Sequence, residues 1–194
     1  MWPWGHAAVG YLLYSGALRA LGREPPTDRT AVVVLFATQL PDLIDKPLSW
    51  GLGLFPTGYA LGHSAFVAIP VGVALLALGV RSGRSGVAGA FVVGYWSHLV
   101  ADVLDPLRRG EAPLPERVLW PVVAGQPYEE DLGLGRGVAY LEAFVRAAGS
   151  MDPLALVVLY LFLPLTMALV WLADGAPGLA LFTRPARAIW ARLH

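Results

Sequence analysis

Apolar residues fill five stretches of the chain, residues 5–21, 30–44, 60–80, 86–104 and 153–173, and short polar connections separate the first four. A helix that crosses the bilayer core needs about 20 such residues, with a working range of about 17–25. The last stretch, PLALVVLYLFLPLTMALVWLA, meets that length cleanly. The second is interrupted by Pro41, Asp42 and Asp45, so it is expected to stop partway or to tilt. The pattern predicts an all-α integral membrane bundle of about five transmembrane helices, with residues 1–194 as one membrane-embedded domain. Residues 105–152 are too polar to span and are expected as an outer-side extramembrane loop, and 175–194 as a basic tail. Within the loop, Val138, Leu141, Phe144, Val145 and Ala148 recur at helical spacing. That spacing predicts an amphipathic helix lying at the interface or packed on the bundle.

Composition sharpens this reading. The chain is 56% hydrophobic and only 14% charged, with a mean hydropathy of +0.58, whereas an ordinary soluble domain carries about 25% charged residues. So few charges cannot cover a soluble surface of this size, but lipid can solvate the apolar remainder. Net charge is zero and no run of Lys or Arg stands out, so nothing points to nucleic acid. With no cysteine there is no disulfide, thiolate ligand or Cys nucleophile. The first apolar stretch has no cation before Arg19, unlike a signal peptide, and is expected to be a retained membrane helix.

Orientation follows from the short loops. Arg19, Arg23 and Arg29 flank the first connection, Arg81 and Arg84 the third, and Arg184, Arg187 and Arg192 lie in the tail. The positive-inside rule then predicts an outside N-terminus and a cytoplasmic C-terminus in the cell membrane. Trp2, Trp4, Trp50, Trp96 and Trp120 fall near the outer ends, as an interfacial aromatic belt would. Gly86, Ala90 and Gly94 form a small-residue ridge on which a neighbouring helix can pack closely.

That alternation has a chemical consequence. His6, Asp42, Asp45, His63, His98, Asp102 and Asp105 all fall at the outer ends of their segments. His98 and Asp102 are four apart and Asp42 and Asp45 three apart, so each pair shares a helix face. Carboxylates clustered near a bilayer are costly and repel one another, and a divalent cation relieves both penalties. Mixed imidazole and carboxylate donors suit Zn, Mn, Fe or Ni, with zinc the leading expectation, and their number allows one or two ions. His194, at the end of the basic tail, is excluded from the set.

The pieces WGHAAVG, LPDLID, GHS and GYWSHLVADVLDPL occur in that order over about the first 110 residues. At these residues the chain resembles the membrane-bound metal-dependent hydrolases, the YdjM-like integral membrane proteins. More distantly, it is similar to the secreted zinc-dependent phospholipases C, all-helical enzymes with an HxxxD metal motif. The resemblance implies His6, Asp42 or Asp45, His63, His98 and Asp102 as ligands, and hydrolysis of an ester or phosphodiester by metal-activated water.

The leading expectation is therefore a phospholipase-like or phosphatase-like hydrolase at the membrane interface, with membrane lipids around it and a lipid-like or phosphate-ester substrate. Asp45 or Asp105 is the candidate general base. A metal-ion carrier or a metal-stabilised scaffold is the alternative. Against a carrier, no matching polar residues continue inward, since Thr38, Gln39 and Ser97 are also near the outer end.

Overall fold

The centre of the fold is α5 (Ser85–Leu104), because its small residues let three other helices reach it. In the computed structural model, which describes residues 1–181, α1 (Pro3–Ala20), α2 (Asp28–Ala37) and α4 (Ala65–Arg81) all pack against α5. The described residues are helical, with no strand. Gly94 makes the closest approach: a Cβ there would sit 2.5 Å from the Val34 carbonyl oxygen of α2 and 2.9 Å from Ala37 Cβ. Ala90 is fully buried on the same face, whereas Gly86 has open space around it. Gly86 joins the packing only through its carbonyl, which accepts from Tyr14 Oη of α1 at 3.0 Å. Between α4 and α5, Trp96 lies across Gly72 and donates to the Ala68 carbonyl at 2.9 Å. It is thus a helix-packing residue rather than part of an interfacial belt.

The second apolar stretch is two helices. α2 ends at Ala37, and α3 (Leu40–Lys46) restarts with Pro41 in its first turn. Proline there has no N–H to offer the preceding turn, so the chain changes direction at Thr38 and Gln39. Gln39 Nε2 ties the break to α1 by donating to the Pro3 carbonyl at 3.2 Å. α3 runs on through a π turn, Pro47–Gly51, into the loop that returns to α4.

Residues 105–134 form a loop with short 3-10 turns at Asp105–Arg109 and Pro115–Val118. Val118 anchors the second turn on the core of Ala37, Ala68, Tyr95 and Leu99. α6 (Gly135–Ser150) is the expected amphipathic helix. The last apolar segment comprises α7 (Pro153–Leu156), a π turn over Val157–Leu161 and α8 (Phe162–Ala173). Asp152 caps it by accepting from the Leu154 and Ala155 N–H groups at 2.9 and 3.1 Å.

Two segments are long and apolar enough to cross a membrane, Ser85–Arg109 and Pro153–Ala173, and Ala65–Arg81 is a shorter apolar helix. No residue of the second span is fully buried; it contacts mainly α1, with Met167, Val170 and Trp171 packed on the core. Of the basic tail, residues 182–194, with Arg184, Arg187, Arg192 and His194, lie outside the described residues.

Candidate metal centre

Four side chains from four segments meet at one end of the helices. His98 and Asp102 lie one turn apart near the end of α5, Asp42 comes from the first turn of α3, and His63 from the loop just ahead of α4. Asp42 is half-buried and the other three are fully or almost fully buried. His63 Nε2 stands 3.1 Å from His98 Nε2, 3.5 Å from Asp42 Oδ1 and 3.4 Å from Asp102 Oδ2. His98 Nε2 stands 3.8 Å from Asp42 Oδ1 and 3.4 Å from Asp102 Oδ2. Four donors held about 2.0–2.1 Å from one zinc at tetrahedral angles are about 3.3–3.4 Å apart. The spacing of these donors is therefore close to that of a single first-row cation's shell.

Both imidazoles are oriented for ligation. The break after α2 leaves Thr38 at a helix C-terminus, where carbonyls lack intrahelical partners, and its carbonyl accepts from His98 Nδ1 at 2.6 Å. His63 Nδ1 donates to Asp45 Oδ2 at 2.8 Å. Each of these bonds fixes the proton on Nδ1 and turns the Nε2 lone pair toward the cluster, as ligating histidines require. His6 adds a further donor. Its ring stacks on His98 with centroids 3.6 Å apart, and its Nε2 lies 3.2 Å from Asp102 Oδ1, outside hydrogen-bonding geometry. Both ring nitrogens are buried with no hydrogen-bond partner among the described residues. Orphaned buried polar atoms are rare and point to an ion or water that completes them. The residues present thus fit a divalent cation, and the lack of thiolate keeps zinc, manganese, iron and nickel as its candidates.

Two residues expected in the chemistry are placed differently. Asp45 was expected as ligand or base, but its carboxylate accepts from the backbone N–H groups of Ala60, Gly62 and His63 at 2.8, 2.8 and 2.9 Å, besides His63 Nδ1. Three of these bonds fall on Oδ2 and one on Oδ1, so both carboxylate oxygens are engaged by the loop and the His63 ring. Asp45 is a positioning residue that folds the loop around its own charge. Gly62 permits the turn, since a Cβ there would lie 2.9 Å from the Pro41 carbonyl oxygen. Asp105, the other expected base, pairs with Arg108 and Arg109 instead of facing the four donors.

Electrostatics follow from this crowding. Three carboxylates, Asp42, Asp45 and Asp102, stand 3.5, 2.8 and 3.4 Å from the nitrogens of the buried His63 ring. Burial would raise Asp45, yet the His63 ring and the Gly62 and Ala60 N–H groups hold it below the ordinary carboxylate range. Several anionic groups thus share one buried proton-binding site, the charge balance a cation would take over.

Other contacts at the site left no sequence signal. Lys46 pairs with Asp42 Oδ2 from one turn away, and the Met1 amino group lies 2.6 Å from Asp102 Oδ1. Tyr59 packs edge-on to His63 at 4.9 Å, and Arg117 lies over the Tyr59 ring at 4.9 Å while donating to the Asp102 carbonyl at 2.9 Å. Nothing in the polar loop pattern distinguishes Arg117 from its neighbours. Only the i, i+4 spacing of Asp42 and Lys46 was open to inspection.

No curated protein and no solved structure matches the chain. Residues 1–175, which include every residue of the centre and both apolar segments long enough to span, match the YdjM inner membrane protein family. The chain therefore belongs to the YdjM family of inner membrane proteins.

Proposed function

We propose that this protein is a membrane-embedded, metal-dependent hydrolase of ester or phosphodiester bonds, acting where its centre meets the membrane–water boundary. The observation that supports it best is the near-tetrahedral spacing of His63, His98, Asp42 and Asp102, with the partnerless His6 nitrogens beside them. A bound divalent ion would polarise the scissile group and lower the pKa of a water toward neutrality. The chain's own residues hold, orient and screen: Asp45 and the Thr38 carbonyl aim the imidazoles, and Lys46 neutralises the outer oxygen of Asp42. A distant kinship with zinc phospholipases C, read from the HxxxD pair, would agree with this chemistry, and we take zinc as the ion. In the membrane we take the five apolar segments to cross, with the centre and N-terminus outside and the C-terminus in the cytoplasm.

Metal analysis of the purified protein, together with assays on phospholipid and on a chromogenic phosphodiester, tests the reading. Stoichiometric transition metal and chelator-sensitive turnover are expected, with His98→Ala losing both bound metal and more than about 100-fold of the rate. Loss of a ligand exceeds the roughly 10–100-fold effect of an outer-shell change. A metal-free protein whose melting temperature ignores chelator would sink it.

A further inference from the structure

A cleft of about 770 Å³ opens directly beside the four donors. Lys46, Tyr59 and Arg117 line it, and each also touches a donor residue or its neighbour: Lys46 holds Asp42, Tyr59 packs on His63, and Arg117 binds the Asp102 carbonyl. The volume falls in the range of about 300–1,000 Å³ typical of small-ligand sites. Its lining combines basic and aromatic side chains, and that combination describes what fits.

Of the four basic side chains that line the cleft, Lys46 is paired with Asp42, Arg108 with Asp105, which also lines it, and Arg109 with Asp105 and Glu111. Arg117 makes no salt bridge among the described residues, although the Glu111 carboxylate lies near enough to feel its charge; its side chain contacts the Asp102 carbonyl and the face of Tyr59. It is half-buried and held by a turn whose Val118 is packed in the core. A fixed guanidinium with unused N–H donors is suited to the bidentate binding of a phosphate. The aromatic part of the lining comes mainly from α6. Tyr140, Ala143, Phe144 and Ala147 recur at i, i+3, i+4 and i+7, so one helix face lines the cleft. Phe144 packs on Trp2 at 4.8 Å and on Tyr160 at 5.1 Å. Tyr160 belongs to the second apolar span, so the aromatic lining continues onto the surface that lipid would cover.

We propose that this cleft binds a phosphate ester carrying an apolar tail, with Arg117 holding the phosphate and the Tyr140–Phe144 face of α6 holding the tail. Arg117 is then the specificity-determining residue that selects phosphate esters over carboxylic esters. For the fate of the bound ester the inference rests on the hydrolase reading, but binding itself does not.

Trp2 and Trp50 line the cleft, so tryptophan emission of the full chain in detergent reports occupancy. The probes are dihexanoyl phosphatidic acid, the matching diacylglycerol and inorganic phosphate, with bound metal measured on each sample. Phosphatidic acid should bind saturably, at least about tenfold tighter than either the diacylglycerol or phosphate, a difference of about 1.4 kcal/mol. Arg117→Gln should weaken it by at least about tenfold with metal content unchanged, and Arg117→Lys by less. Phe144→Ala, which leaves the centre alone and decides the matter if Arg117→Gln does not fold, should weaken phosphatidic acid but not inorganic phosphate. Equal affinity for phosphate would mean a soluble ligand, equal affinity for diacylglycerol a purely apolar one, and either overturns the proposal. So does unaltered binding of phosphatidic acid by folded Arg117→Gln or Phe144→Ala. Arg117-dependent binding to a protein without metal would reject the hydrolase reading alone, whereas turnover with Arg117-independent binding would reject only this one.

Discussion

Asp42 and Asp45 are the same residue type one turn apart on α3, and their surroundings give them different work. Asp42 keeps one oxygen turned to the imidazoles and gives the other to Lys46. Asp45 is engaged by three loop N–H groups and the His63 ring. Spacing in the sequence could place both on one face, but only the path of residues 60–63 decides which carboxylate is taken up by the loop. Asp45→Asn tests the division. The amide keeps the shape, but it brings N–H donors to a site where every partner is already a donor. With the amide oxygen at the Oδ2 position the NH2 group must face the Gly62 N–H, so the loop's hold on His63 weakens and metal affinity should fall by about 10–100-fold, as it does for outer-shell partners of ligating histidines. Competition against a chelator of known affinity measures it, and wild-type affinity would show that His63 needs no such support. The HxxxD pair on α5 was legible from residue type and helical spacing alone. The Thr38 carbonyl and Arg117 were not, because a main-chain acceptor has no sequence signature and a single loop arginine looks like any other.

Helices were legible where apolar runs are uninterrupted. Residues 86–104 are expected from hydropathy and α5 covers Ser85–Leu104; residues 153–173 are expected and the segment starts at Pro153 and ends at Ala173. The second stretch, expected to stop partway or to tilt where Pro41, Asp42 and Asp45 interrupt it, is divided into α2 and α3. The split is functional, for it turns the Thr38 carbonyl to His98 and starts α3 with Asp42 at the centre. The small-residue ridge was right in part: helix spacing put Gly86, Ala90 and Gly94 on one face, but the neighbour reaches only the last two. That contrast makes a paired prediction. Gly94→Ala puts a Cβ against the Val34 carbonyl, a main-chain atom that cannot move aside alone. Overpacking of this kind costs about 1–3 kcal/mol, and the displaced α2 would carry Thr38 and Asp42 with it, so both melting temperature and bound metal should fall. Gly86→Ala meets nothing within 4 Å and should be neutral, or stabilising by up to about 1 kcal/mol through helix propensity. A thermal melt of the two purified variants settles it, and equal behaviour would mean that α2 and α5 do not approach as closely as described.

At the scale of the molecule, two polar ends are separated by an apolar belt. One end is the metal centre with its cleft. At the other, the buried carboxylate of Asp174, just past α8, accepts from Tyr11 Oη at 2.9 Å and Ser15 Oγ at 2.7 Å and pairs with Arg19. Arg23, Arg81 and Arg84 follow nearby helix ends in sequence. Between the ends, Ile69, Val73 and Leu78 on α4 and Leu165, Leu169 and Leu172 on α8 are exposed, an arrangement that water penalises and lipid does not. α4 joins the two ends directly: its 17 residues rise about 25 Å, close to the roughly 30 Å of a hydrocarbon core. Its flanks should therefore lie on opposite sides of the membrane. Leu54 and Ser82 are both exposed, one in the loop beside the centre and one just past α4, and the chain has no native cysteine to interfere. In intact spheroplasts, a membrane-impermeant maleimide should label Leu54→Cys, and should reach Ser82→Cys only after the membrane is broken. The reverse pattern would invert the orientation while keeping the centre on one face. Labelling of both from outside would mean that α4 does not cross, and the metal centre would then no longer mark one side of a bilayer.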